Sequence, residues 1–227
     1  MITPQCVKCV AQYCAKESLK REHLPKFCPM IQKADIIKIA LEKYKNEKIR
    51  QLYVNTTIIE GQAYEIVRGR RISVRPRLLE IIKLSKLMGW KRLGVAFCGG
   101  LTNEASRVVN ILEKSGFEVY SIVCSCGHLD KTFFGVQKEH KIANLIGDPD
   151  RFEEACNPIV QAEVLNSENL DLHIIVGLCI GHDMLFTKYS KALVTTFIVK
   201  DRVTGHNPIA SLYSVYYRRY YDKEEVY

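Results

Sequence analysis

Four short apolar runs, each closed by cysteine, glycine or charge, constrain this chain more than any other feature. Arg92 to Phe97 reads as a buried strand that ends at Cys98-Gly99-Gly100. Thr102 is the expected N-cap of a helix from about Asn103 to Ser115, stopped by Gly116. Phe117 to Cys124 is then a second strand. A strand, a glycine turn, a helix and another strand together require a parallel pair joined by a crossover. Leu172 to Leu178 repeats the pattern and runs into Cys179-Ile180-Gly181-His182. Ala192 to Val199, rich in β-branched residues, is the fourth strand, and Arg151 to Asn166 is helical in part. The fold class that follows is α/β, with a parallel, Rossmann-like doubly wound sheet preceded by a small four-cysteine metal knuckle and helices.

Upstream of the first strand the pattern is helical. Ile36, Ile37, Ala40, Leu41 and Tyr44 recur at spacings of three and four and make one apolar stripe. A second helix is expected over Glu47 to Tyr64. A third covers Arg77 to Met88, begun after Pro76 and stopped by Gly89. The expected organisation is therefore a knuckle over 1–30, a helical segment over 31–89 and an α/β domain over 90–227. A length of 227 residues suits one domain with an appendage, and 47% apolar content with 26% charge excludes wholesale disorder. No apolar run reaches the roughly 18 residues that a membrane helix needs. Nor does Met1 to Lys16 carry an export signal, so a cytoplasmic protein without a membrane partner is expected.

Nine cysteines carry the chemical information. Their number is odd and a reducing compartment is expected, so metal ligation or thiol chemistry is favoured over a disulfide framework. Four of them, Cys6, Cys9, Cys14 and Cys28, follow C-x2-C-x4-C-x13-C, with Pro29 directly after the last. The turn of a C-x2-C pair aims backbone amides at the sulfurs, and two further thiolates complete a tetrahedron. The segment is too short and polar to hold a core, so metal binding would supply its folding free energy. Zinc fits this donor set. An iron–sulfur cluster fits it too, since proline after the last cysteine occurs in ferredoxin runs.

The other five cysteines are scattered in sequence, but not in expected position. Cys98, Cys124 and Cys126, and Cys179 lie at the ends of three strands, and Cys156 precedes a helix start at Asn157-Pro158. Parallel strands put those ends on one rim, where ligands bind. Cys98, Cys126, Cys156 and Cys179 are the candidates for a second site, either an iron–sulfur cluster or reactive thiols. The alternative is that they are small buried hydrophobes. Cys179, His182 and Lys200 are the candidate catalytic residues, with His182 and Lys200 handling protons or charge. Asp183 either orients His182 or caps the helix.

These stretches resemble a bacterial and archaeal family of unknown function described as metal-binding proteins. The matching residues are Cys6, Cys9, Cys14 and Cys28-Pro29, then Ala96 to Leu101 with Glu104-Ala105. They continue through Cys156-Asn157-Pro158-Ile159, Gly177 to Asp183, Lys188-Tyr189-Ser190, Lys200-Asp201-Arg202 and Gly205-His206-Asn207-Pro208. The resemblance implies a metal ion, with zinc suggested, on Cys6, Cys9, Cys14 and Cys28. It implies no reaction.

The functions that remain are redox or sulfur-transfer chemistry at a thiolate-rich crevice, or a zinc-stapled module that binds a small anionic ligand without catalysis. A redox partner or small anionic substrate accompanies the first, and a homo-oligomer is compatible with both. Nucleic acid is not the expected partner, although the net charge is +8. The basic residues are dispersed, and only Arg68, Arg70, Arg71, Arg75 and Arg77 form a dense run. Gly94, Gly99 and Gly100 lack the spacing of a dinucleotide fingerprint. The five tyrosines between Tyr213 and Tyr221 read as packing residues, against the domain or a dimer mate.

Overall fold

The structure is a computed structural model that describes residues 4–221. The chain divides into two compact units, Met1–Gly61 and Gln62–Tyr227. The dividing point falls inside the 31–89 segment that the sequence suggested as one body.

The first unit opens with single 3-10 turns at Cys6–Lys8, Tyr13–Ala15 and Arg21–His23. Helices α1 (Pro29–Gln32), α2 (Ala34–Glu42) and α3 (Glu47–Gly61) follow. Pro29 begins α1 because its missing N–H would be unpaired in a first turn anyway. The stripe on α2 forms at helical spacing, yet Ile36 and Leu41 remain exposed.

The second unit begins with an antiparallel hairpin, β1 (Tyr64–Val67) and β2 (Arg70–Ser73). Arg68 and Gly69 turn the chain at φ 51° and 73°, the left-handed backbone that two-residue hairpin loops require. The expected helix to Tyr64 therefore stops at Gly61, and part of the arginine run is a strand. Next come α4 (Arg77–Leu87), β3 (Arg92–Phe97), α5 (Thr102–Lys114) and β4 (Glu118–Val123). The unit continues with α6 (Pro158–Ser167), β5 (Leu172–Val176), α7 (His182–Tyr189) and β6 (Leu193–Ile198). Thr102 is already helical. Its hydroxyl donates to the Gly99 carbonyl at 2.7 Å instead of accepting a helix amide, so it is not the cap.

All four central strands are parallel, in the order β4-β3-β5-β6. The order reverses between β3 and β5, because the chain leaves β3 toward one edge and returns on its other side. The two sheet faces are separately covered. Leu93 and Val95 of β3 and Ile174 and Val176 of β5 pack with Ile81 and Ile82 of α4 and Ala105, Val108 and Leu112 of α5. Ala96, Ile122 and Ile175 pack with Ala162 and Leu165 of α6 and Phe186 of α7. Alternation along each strand dictates this division, and burying each large aliphatic side chain contributes roughly 1.5–3 kcal/mol. Gly94 sits where an added Cβ would meet Leu170, His173 and Leu165 side chains at 2.8–3.0 Å, so only glycine lets α6 approach this closely.

The strand ends are in register. Phe97 stands opposite both Val123 and Val176, which brings Cys98, Cys124 and Gly177 side by side. Between β5 and β6 the pairing skips one residue, since Ile175 faces Thr196 while Val176 faces Ile198. Phe197 is the extra residue of that bulge.

Candidate functional site

The register places thiols along one rim. The Cys124 amide donates to the Phe97 carbonyl at 2.9 Å, and the Cys98 amide donates to the Val176 carbonyl at 3.3 Å. Each cysteine therefore extends its strand's ladder by one residue. Gly177, at φ 70°, turns β5 sharply so that Cys179 comes back over the rim, and the Cys179 carbonyl accepts the first amides of α7. The Asn157 amide donates to the Cys124 carbonyl at 2.7 Å, which anchors Cys156 beside them. Cys98, Cys124, Cys156 and Cys179 line a single pocket of about 440 Å³ at the point where the strand order reverses.

Cys98, Cys156 and Cys179 are thus brought together, and Cys126 is not. Cys126 lies in the turn after β4 and does not line that pocket. Cys124 stands in its place because it is the next ladder residue after Val123.

The thiols form a graded row. Hydrogen bonding with Cys124, followed by burial, pushes the Cys98 thiol up to about 12. Cys124 is 6% exposed and also raised, first through its hydrogen bond to Cys156. Cys156 is lowered, because that same bond favours its thiolate over the cost of desolvation. The Gly99 amide donates to Cys124 Sγ at 3.4 Å.

Two cations reach the rim from the segment after β6. Lys200 Nζ donates to Cys98 Sγ at 3.3 Å, and Arg202 Nη2 donates to Cys179 Sγ at 3.0 Å. The sequence places Lys200-Asp201-Arg202 at this strand end and makes only Lys200 a candidate catalytic residue. Asp201 holds the turn that presents Arg202: its Oδ1 accepts the amides of Val203 and Thr204 at 3.0 Å each, and His206 Nδ1 accepts its amide at 3.1 Å.

His182 opens α7 and lines a second chamber of about 410 Å³, which shares Lys131, Cys156, Cys179 and Arg202 with the first. Burial lowers its pKa, so the ring is neutral at pH 7, and its Nδ1 is buried without a hydrogen-bond partner. Asp183 does not orient it. Asp183 Oδ1 accepts the Met184 amide at 2.8 Å.

The outer wall is the 125–157 segment, which sequence reading left unassigned up to residue 150. An ionic network ties it down. Asp130 Oδ2 accepts the Glu153 amide at 2.7 Å and buried Lys141 Nζ at 3.1 Å, and Oδ1 accepts the Thr132 amide at 2.9 Å. These bonds hold the Asp130 carboxyl well below the usual carboxylate range. Glu153 ion-pairs with Lys131 and accepts the Ala143 amide at 2.7 Å.

In the first unit, Cys6, Cys9, Cys14 and Cys28 all line one pocket of about 230 Å³, together with Tyr13, Leu24 and Phe27. The Cys9 amide donates to the Cys6 carbonyl at 2.9 Å, closing the tight turn expected of that pair. Among the described residues, no group of three or more Cys, His, Asp or Glu side chains is drawn together as it would be around a metal ion. No helix among them is long and apolar enough to cross a membrane.

Comparison with known proteins identifies a family. A family described as a protein of unknown function, DUF1847, matches residues 28–197. Cys28 and all four rim cysteines fall inside that stretch, whereas Cys6, Cys9 and Cys14 precede it and Lys200 and Arg202 follow it. An uncharacterized protein of Methanocaldococcus jannaschii, MJ0455, is 48% identical over 185 residues, covering 82% of this chain and 87% of that protein. No solved structure matches.

Proposed function

We propose, on the premise that this chain belongs to the DUF1847 family of unknown function, that its strand-end pocket is a reactive-thiol centre for redox or sulfur-transfer chemistry on a small anionic substrate. The observation that carries this reading is the convergence of four cysteines, from three strand ends and a helix start, on one pocket with Arg202 at 3.0 Å from Cys179 Sγ. A guanidinium held against sulfur favours the thiolate, which is the reactive form. The Rossmann-like reading of the sheet belongs to the same proposal. Helices on both faces and the reversal of strand order support it, since pockets form at such reversals.

Cys156 and Cys179 border both chambers and are the reacting pair. Cys98 and Cys124 stand behind Cys156 as hydrogen-bonding partners. In a transfer step the Cys156 thiolate attacks the outer sulfur of a sulfane-sulfur donor such as thiosulfate. A new S–S bond forms on Cys156, the donor's S–S bond breaks, and sulfite leaves with the electron pair. Lys200 offsets the charge of the anionic donor, and neutral His182 accepts a proton from the incoming acceptor. Iron–sulfur ligation at this rim is the weaker reading. Cys126, one of its four ligands, does not line the pocket, and Cys98 and Cys179 are already engaged by cations.

The N-terminal cysteines belong to the proposal as a metal site. Four thiols around one pocket suit zinc, with iron–sulfur ligation as the alternative. When bound, the ion would fasten a segment in which no described residue up to Lys26 is buried.

Incubation of reduced, anaerobically purified protein with thiosulfate tests the centre, with cyanide-labile sulfur as the readout. The wild type takes up about one sulfur per chain and the Cys156→Ser variant takes up none. Uptake unchanged in a Cys156→Ser/Cys179→Ser double variant would remove the proposal. Zinc, iron and sulfide analysis of the same preparation identifies the metal.

A further inference from the structure

The second chamber differs in character from the thiol-lined one. Phe134, Val136, Ala155, Pro158, Ile159 and Leu185 give it an apolar wall. Phe134 and Leu185 are large apolar side chains left 51% and 39% exposed, as in grooves that receive a ligand. Its polar lining is Lys131, Asn157, His182 and Arg202, and the two cations stand where the chambers meet. There, Lys131 is already ion-paired with Glu153. Arg202 donates to Cys179 Sγ and forms no ion pair with a carboxylate among the described residues. A planar cation without a carboxylate partner therefore stands at the mouth of an apolar cavity of about 410 Å³, which is ample for a ligand with several carbons beyond its charged group.

We propose that the pocket holds an amphipathic organic acid, its carboxylate on Arg202 and its alkyl chain or ring in the second chamber. The first chamber is left for the sulfur donor. This inference rests on the thiol-centre reading and adds to it the class of molecule bound.

Titration calorimetry on the full, reduced chain tests it, with octanoate, acetate and n-octanol as probes. Octanoate binds at least tenfold more tightly than either acetate, which lacks the chain, or octanol, which lacks the charge. Arg202→Gln lowers octanoate affinity about tenfold and leaves octanol unchanged. Phe134→Ser, at an exposed position that folding tolerates, weakens octanoate and not acetate. Octanoate binding is read by heat and sulfur uptake by cyanide-labile sulfur on the same wild-type chain, so a failed sulfur-uptake assay and a failed binding assay are separate results. Octanoate no tighter than acetate, or Arg202→Gln without effect on octanoate, overturns the inference.

Discussion

Thiol–disulfide exchange will sort the rim cysteines by the chemistry of their neighbours. Cys98, held at about 12 against an ordinary thiol at 9.0, carries about a thousandfold less thiolate at neutral pH. Its thiolate is more basic, and nucleophilicity rises with basicity by a factor of roughly 0.45 per logarithmic unit, which returns about twentyfold. The net expectation is that native Cys98 reacts about fiftyfold more slowly with a neutral disulfide such as dithiodipyridine than the same residue does in urea. Cys156, shifted the other way, labels before Cys98. Timed quenching and peptide mass spectrometry read both rates in one sample. Lys200→Ala slows Cys98 further, because the ammonium now stabilises its thiolate. Native Cys98 reacting as fast as unfolded Cys98, or ahead of Cys156, would refute the hydrogen-bonded row.

Three further outcomes follow from the same coordinates. Burial lowers His173 from 6.5 to about 4, so the unfolded chain takes the proton first as pH falls; stability is full above 6.5 and declines toward 4. From pH 7 to pH 5 the loss is about 2 kcal/mol by urea unfolding, and His173→Gln abolishes that part of the pH dependence. Gly177→Ala forces a side chain into a φ of 70°, with its Cβ 2.7 Å from a Leu101 methyl group. It costs about 1–3 kcal/mol and lowers sulfur uptake by displacing Cys179. On the proposed N-terminal metal site, Cys28→Ser lowers the metal content and opens residues 4–30 to protease, while the second unit, compact in its own right, keeps its melting temperature.

The four strands were legible because a parallel strand buried on both faces has a nearly continuous apolar sequence, as in Leu172 to Val176. Cys98, Cys156 and Cys179 were legible as strand-end or helix-start positions. The choice of Cys124 over Cys126 was not, because it depends on which residue keeps the ladder going and which falls in the turn. The β1–β2 hairpin was hidden because its strands are short and wholly exposed and its turn falls inside the arginine run. The 125–157 wall has no periodicity at all. Its order comes from Asp130, Lys141 and Glu153, whose pairing across more than ten residues leaves no local trace. Arg202 was legible as a strand-end charge but not as the partner of Cys179, since the Asp201-centred turn that aims it is read from hydrogen bonds.

The skipped residue in β6 decides the electrical sign of the crevice. With Phe197 inserted, the strand delivers an ammonium and a guanidinium to two sulfur atoms. Were the pairing continuous, every later residue would move by one place, and Val199 and Asp201 would arrive where Lys200 and Arg202 now stand. A carboxylate there would repel negative sulfur and negative guests alike. One surplus aromatic residue, remote from any chemistry, thus sets which molecules this opening welcomes.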